Sequence, residues 1–250
     1  MPRNFFTIHL VTFAVIGCLL LPTRLFAAEA DNSIEAGKQI FSFGSGSQVP
    51  ACQKCHGPNG LGSDDVGTPR IASQVYTYLL KQLVNFASDK RTDDYMHQMN
   101  AIAKALSDQQ RKDVAAYLHS LKWPYSGSDL AALARAGIQV GDPVRGRTIV
   151  KAGIRARGVP PCQSCHGYDG QSAGSLFPTL SGQNYTYLTH ELASFKRGSR
   201  HNDFMGQMRA VATKLDERDI RDVAAFLTGA KPPPPPDNPN DPGAKPAGGL

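Results

Sequence analysis

The sequence predicts an all-α chain built from two tandem domains of one plan. Apolar residues recur at helical spacing in several segments. No convincing alternating, strand-like segment appears anywhere. Three segments of the first half also return in the second at a single offset of 109 residues. They are "QVYTYL" at 74–79 and "QNYTYL" at 183–188, "DYMHQM" at 94–99 and "DFMGQM" at 203–208, and "KDVAAYL" at 112–118 and "RDVAAFL" at 221–227. A chain of 250 residues is long for one small domain and comfortable for two.

Taken in order, residues 1–30 read as an export signal peptide. Arg3 supplies a positive start and "FFTIHLVTFAVIGCLLL" an apolar stretch. Ala28-Glu29-Ala30 offers a small-residue cleavage site that leaves Asp31 first. The expected location is the periplasm. An uncleaved membrane anchor and a lipid anchor at Cys18 are the alternatives, and both also keep the folded part outside the cytoplasm. The first domain, 31–122, opens with a short helix over 34–41. A longer helix over 76–86 carries Tyr76, Leu79, Leu80, Leu83 and Val84 on one face. Ser107 followed by Gln110 is a capping-box pattern, and the helix it opens has Val114, Leu118 and Leu121 as its stripe. Residues 123–139 form a linker, with a Pro/Gly/Ser turn and then a short helical piece. The second domain, 140–229, repeats the plan with a helix over 144–150 and with Asp216 in the capping place. Ile220, Val223 and Leu227 are its stripe, and Gly229 is its stop. The tail, 230–250, holds 8 of the 18 prolines, cannot bury a core, and is expected to be a disordered spacer.

Composition narrows the function. Hydrophobic residues make up 41% of the chain but aromatic residues only 8%, so small helical domains of this kind need a staple or a prosthetic group to fill the middle. Net charge is +6. Without residues 1–30 the chain has 25 basic and 20 acidic residues, which leaves +5. That bias is mild, and no compact Lys/Arg run points to nucleic acid. It suits docking to an acidic protein partner.

The chemistry lies in a device built twice. "ACQKCHGPNG" at 51–60 and "PCQSCHGYDG" at 161–170 each place two cysteines three apart with a histidine directly behind. A C-x-x-C pair can cycle as a dithiol, supply half of a zinc site, or attach a haem. The redox form belongs at a helix start in a strand-rich setting, which this chain lacks. A four-cysteine zinc site would have to join motifs 110 residues apart. The histidine decides for haem. Cys52 and Cys55 in one copy, and Cys162 and Cys165 in the other, would form thioethers to the porphyrin vinyls, while His56 and His166 reach the iron. An iron that only transfers electrons prefers a sixth ligand. After residue 30 the methionines are Met96 and Met99, then Met205 and Met208, two matching pairs of which one member each should bind. Met99 precedes Ser107 by eight residues, as Met208 precedes Asp216.

With these residues in view, the chain resembles the class I cytochromes c, and its tandem resembles the two-haem cytochrome c4 family. The shared pattern is CxxCHG, a Pro followed by a Gln, "YL..QL", and a Met eight residues before the capped helix with "AAY" or "AAF". It covers nearly everything but leader, linker and tail. The resemblance implies that Met99 and Met208 are the iron ligands; Met96 and Met205 are expected as flexible apolar contacts near the haem edge, with replacement of the neighbouring ligand as the alternative. It implies that the carbonyls of Pro69, 13 residues after His56, and Pro178, 12 after His166, accept the imidazole Nδ1–H. One departure is Arg70, where the second half has Thr179. Tyr76, Tyr78, Tyr185 and Tyr187 are expected in helix packing and propionate contacts. The implied function is a non-enzymatic relay of single electrons through two covalent haem c groups in the periplasm. Its implied partners are redox proteins such as a quinol-oxidising complex and a terminal oxidase or dehydrogenase. A haem enzyme of peroxidase or sulfur-compound oxidase type is the rival, and it would need an open distal site. A cytochrome subunit of a membrane dehydrogenase complex is the nearer variant.

Overall fold

The computed structural model describes residues 21–92, 96–122, 127–174 and 176–231. The apolar leader up to residue 20 with Cys18, the turn at 123–126 and the tail from 232 therefore lie outside the described residues. Eleven α-helices are present among the described residues, with isolated bridges but no strand. No helix among them is long and apolar enough to cross a membrane.

The first half contains α1 (Leu21–Phe43), α2 (Gln53–His56), α3 (Tyr76–Ala87), α4 (Met99–Ala105) and α5 (Asp108–Ser120). Helix α1 is far longer than the expected 34–41 and runs through the expected cleavage site. Its extra turns, LPTRLFAAEADNS, are rich in Leu and Ala, both strong helix formers. Pro22 sits in the first turn, where no backbone N–H is needed. Helix α5 opens on the expected capping box. Gln110 N–H donates to Ser107 Oγ at 3.2 Å, and Gln110 Oε1 accepts from Ser107 N–H at 2.9 Å. Ile40, Phe41, Leu79, Leu83, Val114 and Leu118 form the buried core between α1, α3 and α5. Where α1 crosses α5 the backbones nearly touch: a Cβ on Gly37 would lie 2.0 Å from the Asp113 carbonyl oxygen.

The second half repeats this with α7 (Pro143–Ala152), α8 (Gln163–His166), α9 (Tyr185–Arg197), α10 (Gln207–Ala212) and α11 (Glu217–Gly229). Asp216 caps α11 in another box, completed by Asp219. Gly146 repeats the close crossing, 1.8 Å from the Asp222 carbonyl oxygen for a Cβ placed there. The short α6 (Leu130–Arg135), within the expected linker, docks on this half. Leu133 enters the second core with Ile149, Tyr185, Leu188 and Leu227. Ser128 N–H donates to Thr228 Oγ1 at 2.9 Å.

The halves meet across a buried polar face with local two-fold character. Gln74 Nε2 donates to the Thr179 carbonyl at 2.9 Å, and Thr179 N–H donates to Gln74 Oε1 at 2.7 Å. Gln183, which is Gln74 shifted by 109, does the same to Arg70 at 2.8 and 2.7 Å. Beside this ladder, Arg91 and Arg200 converge on one carboxylate, Glu191, at 2.5 Å each. Arg91 also donates to Gln82 Oε1 and Tyr187 Oη, both at 3.0 Å, and Arg200 to Tyr78 Oη at 3.1 Å. Each guanidinium lies over a phenylalanine of its own half, Phe86 or Phe195, at 4.6 and 4.4 Å. Burial alone would push the Glu191 carboxyl up, but the Arg200 and Arg91 charges outweigh it and hold the group below the ordinary carboxylate range.

Candidate functional site

Each C-x-x-C-H segment folds as a single helical turn. Cys52 precedes α2, and its carbonyl accepts from the N–H of Cys55 at 3.2 Å and of His56 at 3.0 Å. Cys162, Cys165 and His166 repeat those bonds at 3.2 and 3.0 Å. The turn stops at Gly57 and Gly167, both at φ 75°, a conformation that favours glycine. The chain then folds back. Gly62 N–H donates to the His56 carbonyl at 2.8 Å, and Ser172 N–H to that of His166 at 2.7 Å. In the first half Thr68 Oγ1 ties the returning strand of chain to the Cys55 carbonyl at 2.9 Å.

This return places a proline carbonyl against each imidazole. His56 Nδ1 lies 3.1 Å from the Pro69 oxygen, and His166 Nδ1 lies 3.3 Å from the Pro178 oxygen. A carbonyl can only accept, so Nδ1 carries a hydrogen in both rings. Both histidines are buried. Burial lowers the His166 pKa, only partly opposed by the Pro178 bond, which keeps that imidazole neutral and able to ligate. Phe177 packs edge-on against the His166 ring, with centroids 5.8 Å apart.

The thiols argue against dithiol chemistry. Burial pushes the Cys52 and Cys162 thiols up to about 11, the reverse of what a nucleophilic C-x-x-C needs. No group of three or more His, Cys, Asp or Glu side chains among the described residues is arranged to hold a metal ion, so the motifs do not join into a zinc site. What remains in each half is a pair of free thiols one turn apart, one half-buried and one exposed, beside a buried imidazole whose Nδ1 faces a proline carbonyl. That donor set fits thioether attachment of a haem with the histidine as its ligand.

The methionines divide as pairs. Met99 heads α4, half-buried, and packs on the first core together with Cys52 and Tyr76. Met208 lies half-buried in α10. Their neighbours turn outward: Met96 is 37% exposed and Met205 82%, the latter at φ 51°. Of the four tyrosines, Tyr185 is core, and its hydroxyl donates to the Gln139 carbonyl at 2.9 Å. Tyr76 borders the first core, while Tyr78 and Tyr187 belong to the polar interface. The sequence reasoning missed the interface residues Gln74, Gln82, Arg91, Gln183, Glu191 and Arg200. Arg91 and Arg200 do repeat at the same 109-residue offset as the glutamines, which marks them as equivalent positions without saying what they meet.

The cytochrome c family model matches residues 34–122 and again 144–231. A thiosulfate dehydrogenase electron acceptor of Stutzerimonas stutzeri is 32% identical over 215 residues, covering 86% of this chain and 92% of that protein. Cytochrome c4 of Pseudomonas aeruginosa is 32% identical over 184 residues, covering 73% and 85%. Among solved structures, reduced recombinant cytochrome c4 from Pseudomonas stutzeri superposes with a TM-score of 0.63 at 30% identity, covering 79% of this chain and 98% of that one. The thiosulfate dehydrogenase of Marichromatium purpuratum reaches a TM-score of 0.69 at 29% identity, with 79% of this chain matched to 40% of that longer one. Two C-x-x-C-H sites in two matched segments indicate two covalently attached haem c groups.

Proposed function

This chain belongs to the cytochrome c family, and on that footing we propose that it is a periplasmic two-haem electron carrier. In it His56 and Met99 hold one iron, and His166 and Met208 the other. When bound, each haem supplies an Fe(III)/Fe(II) couple. The chain's own residues do the rest. The cysteines make attachment permanent, the proline carbonyls fix the imidazole tautomer, and the packed helices hold the ligands rigid as the charge changes. The observation that carries this reading is the histidine geometry: two buried imidazoles, each one residue behind a C-x-x-C turn and each oriented by a proline carbonyl at Nδ1. The inward turn of Met99 and Met208, against the exposure of Met205, supports methionine as the partner ligand.

The test is spectroscopic. A pyridine haemochrome assay on protein from a host that matures c-type cytochromes should give two haems per chain. The ferric form should show the weak near-infrared band of methionine–iron ligation at two-haem intensity. Met99→Ala and Met208→Ala should each halve that band. Ready carbon monoxide binding by the ferrous wild type would favour the haem-enzyme alternative and overturn this assignment.

A second reading concerns the electron donor. Two relatives named as thiosulfate dehydrogenase electron acceptors match this chain over 92% and 78% of their own length. The corresponding role here is acceptance of electrons from a dehydrogenase of that type. Rapid mixing of the ferric protein with a purified thiosulfate dehydrogenase and thiosulfate should reduce both haems within the enzyme's turnover time. Reduction no faster than thiosulfate achieves alone would exclude it.

A further inference from the structure

We propose that Gln74 and Gln183 are cross-domain positioning residues: each grips the peptide unit whose carbonyl orients the haem-ligating histidine of the other half. The proposal rests on the assignment of His56 and His166 as iron ligands.

The peptide unit between Pro69 and Arg70 has two ends. Its carbonyl oxygen accepts from His56 Nδ1–H at 3.1 Å, and its N–H donates to Gln183 Oε1 at 2.7 Å. The equivalent unit between Pro178 and Thr179 accepts from His166 Nδ1–H at 3.3 Å and donates to Gln74 Oε1 at 2.7 Å. An amide that donates through its N–H is a better acceptor at its oxygen, because hydrogen bonds in a chain polarise one another. One peptide group therefore separates each imidazole from a side chain of the opposite half.

The grip is bidentate. Gln183 Nε2 also donates to the Arg70 carbonyl at 2.8 Å, and Gln74 Nε2 to that of Thr179 at 2.9 Å. Both the N–H and the C=O of the residue after the proline are thus fixed from across the interface. The glutamines are themselves held. Gln74 Oε1 accepts a second bond from Val75 N–H at 2.9 Å, and Gln183 Oε1 one from Asn184 N–H at 2.8 Å. Both side chains are buried. They address the backbone at the one position that controls the histidine, and they do so in both directions.

The sign follows from the chemistry. Removing Gln183 Oε1 makes the Pro69 carbonyl a weaker acceptor. The His56 Nδ1–H is then shared less, the imidazole donates less strongly, and the ferric state of the iron it holds is less favoured. The first-half couple rises in potential. Polarisation of up to about 30% in a neutral hydrogen bond corresponds to about a 1.3- to twofold change in the ferric/ferrous ratio at a fixed applied potential.

The test uses the two-haem protein labelled with 15N-histidine, as wild type, Gln183→Leu, Gln74→Leu and Arg91→Gln. The readouts are the Nδ1–H resonances of His56 and His166 in the ferrous state, assigned through the backbone, and the two stepwise potentials. Gln183→Leu should move the His56 signal and raise the first-half couple while leaving His166 in place. Gln74→Leu should do the converse. Arg91→Gln cuts the neighbouring part of the interface and leaves both ladders, so it should leave both Nδ1–H signals near their wild-type positions. If Arg91→Gln moves His56 as far as Gln183→Leu does, or each glutamine acts on its own half, the glutamines only join the halves and the proposal falls. Wild-type signals that lack the displacement a porphyrin ring imposes would overturn the ligand assignment and the coupling with it. Displaced signals that ignore both glutamine variants overturn the coupling alone.

Discussion

Glu191→Gln removes one negative charge from the centre of the interface and keeps the side-chain shape. In the native cluster the carboxylate takes Arg91 on Oε1 and Arg200 on Oε2, both at 2.5 Å. The three side chains are 7%, 13% and 8% exposed for Arg91, Glu191 and Arg200, so solvent screens little of the interaction. After the substitution, the described partners left to the two guanidiniums are neutral oxygens of Gln82, Tyr78, Tyr187, Asn202 and the new amide. Breaking a buried pair by removing one partner costs about 3–5 kcal/mol, because the remaining charge stays desolvated. Two charge-assisted hydrogen bonds at about 1.5–3 kcal/mol each reach the same range. Denaturant unfolding, followed by far-ultraviolet circular dichroism and by small-angle scattering, should show a loss of about 3 kcal/mol or more. Since Glu191–Arg91 joins the halves, the scattering should also report an expanded, less rigid pair before either half melts. The double variant Glu191→Gln/Arg91→Met should recover part of the loss, since it removes a guanidinium left without a carboxylate. A loss under about 1 kcal/mol, or a double variant worse than the single one, would refute the claim that this carboxylate neutralises the interface.

Three further outcomes follow from the same structure. The Glu191 carboxyl is held below its ordinary range, so its stabilising effect is complete above the unfolded value of about 4.3 and is lost as pH falls through the lower folded value. The scattering profile should therefore hold through mild acid and expand only in stronger acid; expansion between pH 5 and 7 would contradict this. Gly146→Ala puts a Cβ 1.8 Å from the Asp222 carbonyl oxygen, where only backbone movement relieves the clash, so the second half should lose about 3 kcal/mol or fail to assemble. A wild-type melting temperature would show that α7 and α11 do not cross so closely. Ser107→Ala removes the cap of α5 and should cost about 1 kcal/mol, read as a lower denaturant midpoint; an unchanged midpoint would show that α5 does not need its cap.

What the sequence made legible was local. The capping residues Ser107 and Asp216 stand where expected, and the helix expected over 76–86 spans Tyr76–Ala87. These features depend on a few neighbouring side chains and on one periodicity. The proline carbonyls came from the resemblance, and the structure supplies their distances to the imidazoles. Helix α1 extends well upstream of the expected 34–41, where Leu, Ala and a first-turn proline favour helix. The interface was not legible. On a linear chain, Gln82, Glu191, Arg91 and Arg200 look like solvated polar and charged groups on helix faces and loops. Only the placement of one half against the other makes them a buried set. Nor does any pattern in 74–79 say that Gln74 reaches a backbone 105 residues away.

The pairing rule at that interface bears on why the device is built twice. In a two-fold contact between identical chains, residue i meets j of the partner while j meets i. Here Gln74 meets Thr179 and Gln183 meets Arg70, which is the same rule inside one polypeptide with partners offset by 109. The rule is kept where backbone atoms are gripped and broken where charge is concerned, since Gln82 stands opposite Glu191. Two glutamines at those places would leave both guanidiniums without a carboxylate, and two glutamates would set a second carboxylate beside the first. The ladder uses only backbone atoms at positions 70 and 179, so it is the same whether the residue is Arg or Thr. The geometry of the two sites thus stays matched while their electrostatic surroundings differ, the condition under which two similar iron centres can hold different potentials within one chain.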